Sequence, residues 1–245
     1  MQTNSLSELN ALQWLLILIC LQCWSATVAA GPDVTYYRAK SYDQATDELV
    51  YTEQYHRHGQ QASVVFSDAT GVKVSSKKLD FTVSEILPKI DFYNYSSGNQ
   101  WFIHPSNDQI DVGYKKAGQN SWNKDTVIHQ QPSVFDVGYI VFLQAKKRAL
   151  LLKEKVIFYT PIPFVNRSFK MQAHLSSDIN CPLDPKQYYC IKITPNSFLL
   201  RTIVPAIYMS FSQIEFRLRA YRGPTNTSVG DRKRFYVHTL YEYSS

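Results

Sequence analysis

The chain has 245 residues, with 26 Lys and Arg against 20 Asp and Glu and a formal net charge of +6. Aromatic residues make up 14% and charged residues only 19%, a balance that excludes intrinsic disorder, whose chains are poor in aromatics and rich in charge. Nine Gly and eleven Pro exclude collagen-like and low-complexity classes, and a mean hydropathy of −0.27 without long apolar runs excludes a polytopic membrane protein.

The first element is an apolar stretch, Leu12 to Trp24, broken by Gln13 and Gln22. It is too short and too interrupted to span a bilayer. The small residues Ser25 to Ala30 follow it, with Val28 and Ala30 placed for a signal-peptidase site. Residues 1–30 therefore read as a secretory signal peptide, although residues 1–11 carry Glu8 and no base. The alternative reading is an uncleaved anchor. Cys20 and Cys23 lie inside the apolar core of this signal, without the small preceding residue that a lipid anchor needs.

From Val34 onward the hydrophobic period is two. Strands are expected at 34–41, 49–57, 62–67 and 72–81, joined by turns at 43–47, 58–60 and 68–71. That is a meander of antiparallel hairpins. Shorter strands are expected at 90–95, 100–103 and 108–114, with a loop over 115–124. The period then changes. Phe135, Tyr139, Phe142 and Leu143 form one apolar stripe, which predicts a helix over about 136–148 with Asp136 as its N-cap. Strand pattern resumes at 155–160, 165–175, 188–194, 205–222 and 233–243. Cys181 and Cys190 flank Pro182, Asp184 and Pro185, turn chemistry that brings two strand ends together. In an oxidising compartment that pair is expected to form a disulfide. The fold class is mainly β: one antiparallel domain over residues 31–245, a curved sheet or partly open barrel with one inserted helix.

Several segments resemble a family of exported bacterial proteins of unassigned function. They are Phe135-Asp136 at the helix start, the run Leu151 to Phe158, Asn196 to Arg201 before Pro205-Ala206-Ile207, and Leu218 to Gly223 before Asn226. The Val34–Phe81 meander is similar to the N-terminal part of that family. Lys153 stands where the resemblance expects Gly in a turn. The resemblance implies an exported β-rich protein and no particular chemistry.

No nucleotide, nucleophile-elbow or zinc-helix fingerprint occurs in the sequence. His56 and His58 share a strand face without a third ligand nearby, so no metal and no cofactor is expected. On the last hairpin, alternation places Phe216, Leu218 and Ala220 on one face and Arg217, Arg219 and Tyr221 on the other, opposite Arg234, Tyr236 and His238. Such a cationic, aromatic face suits phosphate or carboxylate head groups. Arg217, Arg219, Arg234, Tyr221 and Tyr236 are therefore the candidate ligand-binding residues. The basic clusters Lys77-Lys78, Lys115-Lys116, Lys146–Arg148 and Arg232–Arg234 point, for an exported chain, to anionic envelope components and not to nucleic acid. Three readings compete: an envelope protein that binds an anionic lipid or other amphiphile in a curved sheet, a structural or assembly partner of another envelope protein, and an envelope hydrolase without a recognisable motif. The missing fingerprints favour a binding role over catalysis.

Overall fold

A computed structural model describes residues 34–225, 227, 229 and 236–244; the signal-peptide reading, Arg234 and Asn226 lie outside these residues. Period-two alternation is realised as one antiparallel sheet. In chain order the strands are β1 Val34–Asp43, β2 Leu49–His58, β3 Gln61–Asp68, β4 Lys73–Asp80, β5 Lys89–Asn94, β6 Gln100–Pro105, β7 Gln109–Lys115 and β8 Asn123–Ile128. The second half comprises β9 Val156–Ile162, β10 Arg167–Ser176, β11 Tyr188–Pro195, β12 Ile207–Ser212, β13 Leu218–Pro224 and β14 Tyr236–Tyr243. Each strand pairs with its sequence neighbour, and β1 also pairs with β14, so the order runs from β8 through β1 and β14 to β9. The sheet curls until β7 and β8 approach β9 and β10. It is a barrel with one seam.

The seam is bridged by the chain that leaves β8. Ser133 forms a parallel bridge with Tyr159 on β9. Val134 donates to the Tyr159 carbonyl at 2.8 Å, and Tyr159 donates back to Pro132 at 2.9 Å. The edge of β9 is thereby covered, which removes an exposed template for strand addition. The chain then turns into the barrel as helices α1 Gly138–Ala145 and α2 Lys147–Leu151. Phe142, Leu143 and Leu150 pack on Phe158, Ile191, Met209 and Phe211 from the inner face of β9–β13. A second cluster fills the other half around Val64, Leu79, Ile90, Trp101, Ile103 and Val112.

The structure corrects three expectations. The run 205–222 is two strands. Ser212 and Arg217 close a tight turn between them, and Phe216 takes φ 51°, stacked on Phe211 at 4.7 Å. Gln213-Ile214-Glu215 contains no Gly, Pro, Asn or Asp, so the usual turn signal is missing. Strand β8 falls partly within the expected 115–124 loop. It is an edge strand with only Val127 buried, so its sequence has no buried face to alternate. The helix is shorter and broken at Lys146, and Asp136 does not cap it. Val137 occupies the N-cap position without a side-chain bond, while Asp136 sits at φ 55° and turns its carboxylate elsewhere. A further short helix, α3 Phe198–Arg201, lies between β11 and β12.

Lys153 follows the end of α2 with φ 63°. It donates to Leu150 at 2.9 Å, and Glu154 donates to Ala149 at 3.0 Å. This is the left-handed position after a helix that favours glycine, which explains why Gly was expected there. The expected disulfide is present: Cys181 and Cys190 are bonded, with Cα atoms 5.9 Å apart. The segment just before Cys181 is tied to β11 and β12 through Asp178. That carboxylate accepts from Lys192 Nζ at 2.8 Å and from Tyr208 Oη at 2.9 Å. These contacts, with Asn180 donating as well, hold it well below the usual carboxylate range. A disulfide is the kind of bond that persists in oxidising compartments.

Candidate functional site

The inner faces of the strands and the inserted segment leave a cavity of about 290 Å³ between them, close to the lower bound of small-molecule sites, roughly 300 Å³. Strand pairing explains its wall. Register places Tyr241, Ala39, Glu53, Phe66 and Ser75 in one row across β14, β1, β2, β3 and β4. Ala39 is small, so the row is indented beside Glu53. Tyr37, Tyr51, Tyr139, Tyr221 and Tyr241 add rings around this indentation, and Ile162, Ile207 and Met209 complete the apolar wall. Burial pushes the phenols of Tyr37, Tyr221 and Tyr241 well above their ordinary range, so these tyrosines are neutral donors.

Two charged groups enter from opposite sides. Lys77 on β4 projects inward and meets Asp136 of the inserted segment at 2.5 Å, with side chains only 8% and 7% exposed. Asp136 Oδ1 also accepts from the Val137 N–H at 3.0 Å. Glu53 stands on the other side of Phe66, over whose ring Lys77 Nζ lies at 5.2 Å. Among the described residues no side chain donates a hydrogen bond to the Glu53 carboxylate. Burial pushes its pKa up to about 7, opposed by Lys77 and assisted by Asp136. The cavity thus combines aromatic walls, a neutralised ion pair and one carboxyl group open to whatever fills the space.

Antiparallel connectivity places the turns at 44–48, 69–72, 95–99, 163–166 and 196–206 and the start of the β13–β14 loop at one end of the barrel. The cavity reaches solvent there, since its lining includes the exposed Phe164 and Pro224. Tyr51 Oη and Thr225 Oγ1 lie 3.3 Å apart beside this mouth. The helices α1 and α2 fill the opposite end, where Gly138 lies so close to Ile86 that an added Cβ would stand 2.0 Å from the Ile86 carbonyl oxygen.

Of the residues singled out on the last hairpin, the structure brings Tyr221 into the cavity wall. Its ring lies over Gly223, where a Cβ would come within 2.5 Å of the phenol oxygen. Its hydroxyl donates to the Pro224 carbonyl at 2.7 Å. The β12–β13 register shifts between Ser210 and Phe211. This irregularity breaks the expected alternation, so Leu218 and Tyr221 both line the cavity. Arg217 and Arg219 lie outside that lining, at the helix-filled end. Both contact Glu215, at 3.5 and 3.6 Å, and both lie over the Tyr243 ring. Tyr243 in turn packs on Tyr37, so one aromatic layer separates the arginines from the cavity. Tyr236 is 43% exposed. His56 is an exposed residue against the Tyr36 ring, and among the described residues no three His, Cys, Asp or Glu side chains gather in a metal-binding arrangement.

Glu53, Lys77 and Asp136 were missed as site residues. For Glu53 a signal existed: Tyr51, Glu53 and Tyr55 share one strand face, and a carboxylate among aromatics on an inward face is out of place on a solvated one. The partnership of Lys77 with Asp136 had no sequence signal, because 59 residues separate them.

The sequence matches no family model and none of the curated proteins. A solved structure, the crystal structure of a β-barrel-like protein of Domain of Unknown Function DUF1849 from Brucella abortus, aligns over 86% of this chain and 97% of that one, with a TM-score of 0.39 and 8% sequence identity.

Proposed function

We propose that this chain is an exported, non-catalytic binding protein that holds the apolar part of an amphiphile inside its barrel. The observation that supports this reading is the aromatic-lined cavity with a carboxyl group in its wall that takes no side-chain hydrogen bond from the described residues. Apolar walls with a few convergent polar groups are the general signature of ligand pockets. Tyr37, Tyr221 and Tyr241 supply ring surface, and Glu53 takes a hydrogen-bond donor such as a hydroxyl or amide. A carboxylate at the buried end of the ligand is disfavoured, because Lys77 is already paired with Asp136 and Glu53 repels a second negative charge. An anionic head group is left at the mouth, where the chain's net charge of +6 favours its approach. The disulfide supports the exported setting.

Native mass spectrometry of protein purified from its own host, followed by titration with a fluorescent fatty acid, tests this reading. A co-purifying amphiphile is the expected result. Ile207→Trp, which fills the cavity from a half-buried lining position, should weaken binding about tenfold or more. Protein that carries no lipid and binds none defeats the reading and leaves the structural-partner role.

A further inference from the structure

The mouth end of the barrel carries an apolar surface that the cavity does not explain. On the β11–β12 loop, Phe198, Leu199 and Ile203 are 76%, 75% and 74% exposed, and Val204 is 39% exposed. The β9–β10 turn, at the same end of the barrel, adds Val165, exposed by 52%, and Phe164, which is 37% exposed and packs one side of its ring on Tyr114 at 5.1 Å. The β11–β12 loop starts as a continuation of the β10–β11 ladder, since the Asn196 N–H donates to the Lys170 carbonyl of β10 at 2.8 Å. Arg201 holds the loop from within, its guanidinium donating to the Pro195 and Asn196 carbonyls at 2.9 and 2.8 Å. The β11–β12 loop is therefore tied to its own backbone through Arg201 while Phe198, Leu199 and Ile203 stay largely exposed. Singly scattered apolar residues on a surface are ordinary, but a contiguous group at one tip marks an interaction surface.

The charge around this tip selects the partner. Residues 161–170 and 195–207 contain Arg167, Lys170 and Arg201 and no Asp or Glu. Large apolar side chains in two segments that hold three bases and no acid fit the interface of an anionic bilayer, where apolar groups enter the acyl boundary and cations meet head groups. Phe164 belongs both to this tip and to the cavity lining, so contact with a bilayer sets the cavity mouth against the lipid.

We propose that the β11–β12 loop, with the neighbouring β9–β10 turn, docks the barrel onto an anionic lipid surface. The proposal rests on the outer surface alone and stands whether or not a ligand occupies the cavity. Co-sedimentation of the exported chain, purified from its own host, with phosphatidylcholine vesicles, with and without phosphatidylglycerol, tests it. The wild-type chain should partition onto the anionic vesicles and far less onto the neutral ones. The triple variant Phe198→Ser, Leu199→Ser, Ile203→Ser should lose at least about tenfold in partitioning, with an unchanged melting temperature and unchanged fatty-acid binding in solution. Phe198→Trp, which keeps the apolar character, should bind and show a blue-shifted emission on anionic vesicles. No partitioning of the wild type, or equal partitioning of the triple variant, overturns the proposal. So does a concentration-dependent dimer that the triple variant abolishes without vesicle binding, which assigns the patch to a second copy of the chain.

Discussion

Lys77 and Asp136, 59 residues apart in sequence, meet as a buried ion pair that ties the seam-covering segment to the far wall of the barrel. A pair this deep gains its energy only while both partners are present, because each charge alone has lost its water. Lys77→Met should therefore destabilise the fold by about 3–5 kcal/mol. Adding Asp136→Asn should recover much of that, since Asn tolerates positive φ and retains the acceptor for Val137. Urea unfolding of the two variants checks this; a double variant no more stable than the single one contradicts it.

Glu53 gives stability a distinctive pH dependence. Its carboxyl is raised from 4.5 to about 7, so between those values the folded chain keeps a proton that the unfolded chain releases. Stability from this group is full below the unfolded value and is lost as pH rises to about 7, at up to ~1.4 kcal/mol per pH unit. Burial lowers the pKa of His174 and His238, which acts in the opposite sense over an overlapping range. The readout is thus the difference between wild type and Glu53→Gln. The variant should gain stability relative to wild type as pH rises from 5 to 7, measured by denaturant midpoints at each pH.

Gly138 begins α1 where the chain passes under the Ile86 carbonyl. A methyl group there meets backbone, which cannot rotate away, so Gly138→Ala should cost at least about 1–3 kcal/mol as helix and β4–β5 connection move apart. The intrinsic helix preference favours Ala by up to ~1 kcal/mol, so a net loss of stability in urea unfolding is the expected sign and a net gain contradicts it.

Lys153 offers the converse test. Its left-handed conformation costs roughly 1–2 kcal/mol for a residue with a Cβ, and glycine returns part of that in unfolded-state entropy. Lys153→Gly should be neutral or stabilising by up to about 1 kcal/mol, seen as a higher melting temperature.

Removal of the disulfide by Cys181→Ser with Cys190→Ser should cost about 2–3 kcal/mol, the chain-entropy value for so short a loop. Asp178 still holds Lys192 and Tyr208, so the variant should fold, with its melting temperature lowered.

The alternation of apolar and polar residues from Val34 to Tyr114 determined the β meander, because a half-buried strand must place every second residue inside. The prolines between Cys181 and Cys190 likewise announced their bond. These are local properties, and local sequence carries them. The edge strand β8 and the turn at Ser212–Arg217 carried no such pattern, since one has little to bury and the other borrows its stability from Phe216 stacking on Phe211. Tertiary structure alone decided that the segment 133–151 enters the barrel, that Asp136 serves Lys77 instead of a helix end, and that Tyr221 lines the cavity while Arg217 and Arg219 stay outside it. Each of these depends on which strands close against which, and a curled sheet sets that by bringing residues from distant strands to one interior.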